Sequence, residues 1–277
     1  MLEIKNHPKK LYAIGNIELL QNKSLAIVGT RENTEYGAEY AKKFAGKISK
    51  TGITIISGLA VGIDTIAHKN AMKNKGRTIA VIGSGFHNIY PEENEELFSE
   101  ILKNKGCIIS EYSPETKVNL SNFPTRNRII AGLSKGVLVA EAKFRSGSSI
   151  TARYAFEQKK PVFCIPNQIG VKTGVGTNNL IKVGAKLVTN INEILAEIGE
   201  STIEEAEEKI EEKPEKVAKI EGKYKPIYEV LKNGPIEVNE LAKKLEQNIV
   251  QINQSLTLME IEGLIETLPG NIIKRRK

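Results

Sequence analysis

Ser24-Leu-Ala-Ile-Val-Gly-Thr-Arg31 opens the pattern that decides the fold: a short apolar run, a glycine turn, then an amphipathic stretch over Tyr36–Lys50. A run of this length and composition suits a strand buried on both faces, and the apolar spacing after it suits a helix. The pattern recurs. Runs at Ile53–Ser57, Thr78–Gly83, Cys107–Glu111, Gly136–Glu141, Pro161–Pro166 and Lys186–Thr189 alternate with helical periodicity at Ile63–Lys75, Glu92–Lys105, Ser149–Lys159 and Thr177–Val183. Such alternation specifies an α/β fold, a doubly wound parallel sheet. Gly52, Gly76 and Gly106 each follow a lysine-rich helix end and precede a strand, where a left-handed C-cap is expected.

The repeat ends near residue 199, so residues 1–199 form the α/β domain. Residues 200–221 are Glu-rich and interrupted by Pro214, with too little apolar surface for a core, and read as an acidic linker. Residues 222–277 carry three short helical patterns, Tyr224–Leu231, Val238–Leu245 and Ile249–Ile261, then a hairpin turning at Pro269-Gly270. Three helices and a hairpin describe a small C-terminal winged helix.

Composition narrows the function classes. No run of about 18 apolar residues is present, and Met1–Lys10 is polar and lysine-rich, so no membrane partner and a cytoplasmic location are expected. Cys107 and Cys164 lie inside apolar runs and read as reduced core residues, which suggests no metal or thiol chemistry. Residues 1–199 hold 27 basic and 17 acidic groups, residues 200–221 hold 4 and 9, and residues 222–277 hold 9 and 7. The positive charge sits in the large domain, where it favours a polyanionic partner. With 32 Lys against 8 Arg, an arginine marks a place where a planar fork of donors matters. Arg31, Arg126, Arg128 and Arg145 all fall in loops or helix starts at strand ends.

In an open parallel sheet, ligands bind beyond the carboxyl ends of the strands, against helix N-termini. Three of those loops are built from small residues: Gly29-Thr30-Arg31, Ser57-Gly58 through Gly62 to Asp64 and His68, and Gly83-Ser84-Gly85. Small residues let the backbone approach a ligand and present amides to anionic oxygens. A fourth stretch, Asn122-Phe-Pro-Thr-Arg126-Asn127-Arg128, puts two cations near a helix N-terminus, where they are unfavourable unless they face an anion. Residues two apart on a helix diverge by about 200°, so at most one of the two can reach a given phosphate. The other is expected on an internal carboxylate such as Asp64 or Glu141. Phe123 can stack on a base or pack as a staple beneath the helix. After the fifth strand, Arg145-Ser146-Gly147-Ser148 leads into a helix bearing Thr151, an anion nest in which capping explains the serines but not Arg145 or Gly147.

Ala26-Ile-Val-Gly-Thr-Arg31, Ser57-Gly-Leu-Ala-Val-Gly-Ile-Asp64 with His68, Phe123-Pro-Thr-Arg-Asn-Arg-Ile-Ile-Ala-Gly-Leu-Ser134 and Ser146-Gly-Ser with Thr151-Ala152 together resemble the DprA/Smf family of DNA-processing proteins. The resemblance spans residues 10–195. It implies an extended Rossmann-like domain that binds single-stranded DNA in a basic pocket, forms homodimers, and protects incoming strands and loads the RecA recombinase in natural transformation. It makes Arg31 the principal phosphate contact. It also implies a C-terminal winged helix in many members. From the residues themselves no catalytic residue and no cofactor are expected, because Asp64, His68 and Glu141, the acid-base candidates, read as structural support. Two features depart from the family: about 23 residues precede the first core strand where members often carry a helical domain, and Leu120-Ser121-Asn122 replaces a basic residue before the Phe-Pro pair. Lys117 is the substitute in the same loop.

Three other classes fit less well. A phosphoribohydrolase-like enzyme would resemble Pro-Gly-Gly-x-Gly-Thr-x-x-Glu where this chain has Arg145-Ser-Gly-Ser-Ser-Ile-Thr-Ala-Arg153, so its glutamate is missing. A dinucleotide enzyme lacks its three-glycine fingerprint and the acid ending the second strand. A duplex-reading regulator would use Asn248, Gln251, Asn253 and Gln254, a surface without a cation, although Lys274–Lys277 is basic.

Overall fold

Leu25, Ala26 and Ile27 are fully buried in a strand with hydrogen-bonded neighbours on both sides, as a run with no polar face requires. The protein is described here by a computed structural model covering residues 7–73, 77–200, 224–231, 234–261, 264–268 and 270–275. Its larger sheet has eight strands: β1 (Tyr12–Gly15), β2 (Ser24–Val28), β3 (Thr54–Ser57), β4 (Thr78–Ile82), β5 (Cys107–Ser110), β6 (Val137–Val139), β7 (Val162–Cys164) and β8 (Lys186–Leu187). Their order is β1-β5-β4-β3-β2-β6-β7-β8, and every pairing is parallel except β1 with β5. Successive strands therefore run outward from β2 to β5, then return to β2's other side and run to β8. That reversal between β2 and β6 is a switch point, where two loops part and leave a crevice.

Among the described residues seven α-helices flank the sheet: α1 (Glu35–Lys50), α2 (Ile63–Lys73), α3 (Glu95–Lys103), α4 (Asn122–Leu133), α5 (Gly147–Glu157), α6 (Val175–Lys182) and α7 (Ile191–Glu197). The α/β reading holds, with differences at the edges. β1 is an antiparallel edge strand that the sequence hides, because one pairing partner leaves most of its four residues exposed. α5 begins at Gly147 rather than Ser149, with Ser146 in the N-cap position. Of the three glycine caps, Gly52 is left-handed, with φ +88°. At the third it is Lys105 that takes φ +59°, while Gly106 is needed because a Cβ there would lie 2.6 Å from Ile101 Cγ2. Gly76 lies outside the described residues. Cys107 and Cys164 are free and buried, and burial pushes their thiols up to about 11 and about 12. Among the described residues no helix is long and apolar enough to cross a membrane.

The chain divides into two compact units, Met1–Thr202 and Ile203–Lys277. The predicted linker lies, but for Glu200, outside the described residues. The second unit holds α8 (Lys225–Leu231), β9 (Ile236–Glu237), α9 (Val238–Lys244), α10 (Ile249–Ile261), β10 (Ile265–Leu268) and β11 (Ile272–Arg275), with an antiparallel sheet ordered β10-β11-β9. Leu241, Ile252, Met259 and Ile265 are its fully buried centre. Gly270 and Asn271, at φ +88° and +55°, turn the hairpin, and Pro269 lies outside the described residues. This is the expected winged helix.

Candidate functional site

At the β2/β6 switch point a cavity of about 450 Å³ opens. Its first wall is the turn after β2. A Cβ on Gly29 would come within 2.4 Å of Ile63, and one on Gly62, at φ +83°, within 2.5 Å of the Thr30 carbonyl, so this turn is pressed against the start of α2. Thr30 N–H donates to the Glu141 carbonyl at 2.7 Å, and Thr34 N–H to the Glu141 carboxylate at 2.9 Å. With its flanks held, the turn leaves Arg31 exposed at the cavity mouth.

The second wall is α4. Arg126 is buried; its guanidinium donates to the Gly58 carbonyl at 2.8 Å, to the Val81 carbonyl, and to Asn127 Oδ1 at 3.1 Å. Asp64 accepts from Gly58 N–H at 3.0 Å, and a Cβ on Gly58 would lie 2.8 Å from both Asp64 Oδ2 and Arg126 Nη2. Burial raises the Asp64 carboxyl above its ordinary range despite Arg126, and burial lowers Arg126 to about 10 despite Asp64. Arg128 is also buried and pairs with Glu111 at 2.6 Å. The sequence left open which arginine faces a ligand; the structure turns both inward, Arg126 beneath the cavity beside Asp64 and Arg128 onto Glu111. Glu141 holds neither. It takes Thr34 N–H and the Thr173 hydroxyl.

Phe123 lines the cavity half-buried, its ring packed on Gly83 and stacked on Tyr90 with centroids 5.3 Å apart. It is not a staple beneath the helix. The third wall is the strap after β6. Lys143 reaches Glu32 at 2.7 Å and holds that carboxyl below its ordinary range. Arg145, at φ +54°, lies over the exposed Phe144 ring at 5.2 Å. Ser146 at the N-cap of α5 makes no side-chain cap bond to the backbone; its hydroxyl meets Ser148 at 2.8 Å and Ser149 at 3.2 Å. A Cβ on Gly147 would meet nothing within 4 Å, so the fold does not require glycine there.

The structure thus brings Gly29, Thr30, Arg31, Phe123, Arg126, Asn127, Ser146, Gly147 and Ser148 to one cavity, with Asp64. Ser57, Gly58, Gly62 and Gly83 stand behind it: Ser57 Oγ donates to the Ile27 carbonyl at 2.6 Å, and the glycines make room for Asp64, the Arg31 turn and Phe123. Lys117 is exposed on the loop entering α4. Lys143, Glu32 and Leu120 at the cavity, and Tyr90 behind Phe123, were missed. Lys143 had a signal, since it lies two residues before Arg145 in the same loop.

His68 sits fully buried beneath this layer. Its Nδ1 lies 2.7 Å from Thr78 Oγ1, which already donates to the Ile55 carbonyl, so the ring is the neutral Nδ1–H tautomer. Burial, aided by Arg126, lowers its pKa to about 3. The unfolded chain takes up a proton near 6.5 that the folded chain refuses, so stability is lost as pH falls from 6.5 toward 3. Between pH 6.5 and 5 this amounts to about 2 kcal/mol. Urea midpoints should fall accordingly, and His68→Gln should flatten that dependence; an equally steep fall in the variant contradicts the assignment.

Residues 1–199 match the family described as DNA recombination-mediator protein A, and residues 211–271 match the DprA winged helix domain. The chain belongs to the DprA family. This DprA-family protein is 37% identical over 280 residues to Protein Smf of Escherichia coli strain K12, covering 100% of this chain and 74% of that one. The X-ray structure of DprA from Streptococcus pneumoniae is similar at TM-score 0.67 and 44% identity, over 70% of this chain and 68% of that one. DprA from Helicobacter pylori, whose structure is described as giving insight into a single-stranded DNA binding mode, matches at TM-score 0.64 and 35% identity, over 70% and 88%.

Proposed function

We propose that this DprA-family protein binds single-stranded DNA at the switch-point cavity without catalysing a reaction on it. The observation that carries the reading is the convergence of three donor and stacking groups on one cavity: exposed Arg31, the Ser146–Ser148 start of α5, and the Phe123 ring. Arg31 and the helix start suit a phosphate. Phe123, backed by Tyr90, suits the face of any base, a contact worth about 1 to 3 kcal/mol in single-strand binders. Arg126, Asn127, Asp64 and Glu141 hold these groups in place. The absence of catalysis is supported by the state of the acid-base candidates: Asp64, His68 and Glu141 are all buried and engaged within the protein. Family membership supports the cellular setting, in which a cytoplasmic homodimer protects incoming strands and loads RecA during natural transformation.

Gel shifts should show an oligothymidine bound more tightly than a duplex of equal length, with little dependence on base sequence. Each phosphate neutralised should add about 0.7 to the slope of log affinity against log salt. Tighter duplex binding, or ATP or NAD competing with the strand, would favour the nucleotide-enzyme or duplex-reader classes instead.

A further inference from the structure

A second groove, of about 530 Å³, opens on the first unit and is lined by His7, Lys9, Lys10, Tyr12, Glu111, Ser113 and Arg128. Nothing in the switch-point cavity uses its lysines. β1 runs antiparallel to β5 with Tyr12 opposite Ser110, the last residue of β5, so the lysines just before β1 stand at β5's carboxyl end. That is the rim on which the cavity opens, because β5 is parallel to β2 and β6 through their shared neighbours.

The two sites are joined by continuous chain. Glu111 and Ser113 line the groove, Leu120 lines the cavity, and exposed Lys117 stands between them on the same loop. The first turns of α4 form the other connection, with Arg126 at the cavity and Arg128 at the groove. Charge favours the groove. Among the described residues, Lys9 and Lys10 add positive charge to the groove beyond the Arg128–Glu111 pair, whereas at the cavity Arg31, Arg126 and Lys143 meet Glu32 and Asp64. Lys9 and Lys10 are both exposed, and Lys10 Nζ sits over the Tyr12 ring, 4.5 Å from its centroid, which holds that ammonium at the groove. Two cations placed this way suit an anionic ligand.

We infer that the groove is a second subsite for the same strand: Lys9 and Lys10 hold phosphates of nucleotides that leave the switch-point cavity, pass Lys117 and cross to the β1 edge. This rests on the cavity being the primary single-strand site. The combined site is then longer than the cavity, and its outer part acts through charge rather than through fit.

Oligothymidines of graded length, about 4 to 16 nucleotides, test it. Wild-type affinity should rise with length beyond the shortest oligomers. The double variant Lys9→Ala/Lys10→Ala should bind the shortest oligomer as wild type does, bind the longest about fivefold or more weakly, and show a salt slope smaller by about 1.4, the value for two phosphates. Lys9→Arg/Lys10→Arg should restore the long-oligomer affinity. Arg31→Ala should weaken every length, which separates the two claims. If the double variant follows wild type at all lengths while Arg31→Ala weakens them, the groove is no subsite and the cavity reading stands. If Arg31→Ala leaves every length unchanged, the cavity reading fails and the groove inference with it. Wild-type affinity independent of length, or a lysine effect confined to duplex DNA, also overturns the inference.

Discussion

Replacing Arg31 by Ala is expected to weaken oligothymidine binding by more than about tenfold, which is about 1.4 kcal/mol, while the urea midpoint stays where it is. The two halves of that expectation come from the same geometry. Arg31 is exposed, so the folded chain loses little when its side chain is removed. Its backbone is fixed by other groups: Gly62 packs beneath the turn, and Glu141 receives Thr30 N–H and Thr34 N–H. A guanidinium held this way reaches a phosphate with less ordering to do on binding than a lysine on a free loop. Arg31→Lys should therefore recover only part of the affinity. Fluorescence anisotropy with a labelled oligothymidine, beside urea denaturation, reads both halves. Unchanged affinity in a folded Arg31→Ala protein removes the turn from the interface.

Most of this arrangement can be seen in the sequence because it rests on local rules. Apolar runs of Ile and Val separated by amphipathic stretches give the parallel sheet, and the carboxyl-end rule then picks out the loops bearing Arg31, Phe123 and Ser146. What sequence reasoning cannot supply is the side on which a helix is covered. Helical geometry correctly separates Arg126 from Arg128 by more than half a turn. It does not reveal that α4 is enclosed on both of those sides, by the sheet and by the segment after β5, so that each arginine finds protein. Asp64 was a foreseeable neighbour for Arg126, since a cation in the first turns of a helix calls for an anion and Asp64 lies in the first turn of the helix after β3. Glu111 was not, because its position beside Arg128 depends on how the loop after β5 returns to the start of α4. β1 escaped for a similar reason: an edge strand with a single partner carries little apolar patterning.

Arg126→Met is expected to cost about 3 to 5 kcal/mol of stability, although Arg126 touches the cavity only from below. Its guanidinium satisfies the carbonyls of Gly58 and Val81 and lies across Gly58 from the buried carboxyl of Asp64. Methionine fills much of the same volume but leaves two carbonyls without their donor and a carboxylate without its cation. Adding Asp64→Asn should return part of the loss, because an amide tolerates burial better than an unpaired charge. The pH dependence gives a second reading. Burial already holds the Asp64 carboxyl above its ordinary range, and removing Arg126 removes the attraction that opposes this. A carboxyl raised in the folded state is stabilising below its unfolded pKa, and that contribution is lost as pH rises through the folded value. Arg126 also repels a proton on His68, so its removal weakens the acid penalty at that ring. Both changes act in one direction, and the stability gap between Arg126→Met and wild type should narrow from pH 7 to pH 5. Urea denaturation at the two pH values measures it; a gap that widens on acidification means that Asp64 is not the carboxylate Arg126 compensates.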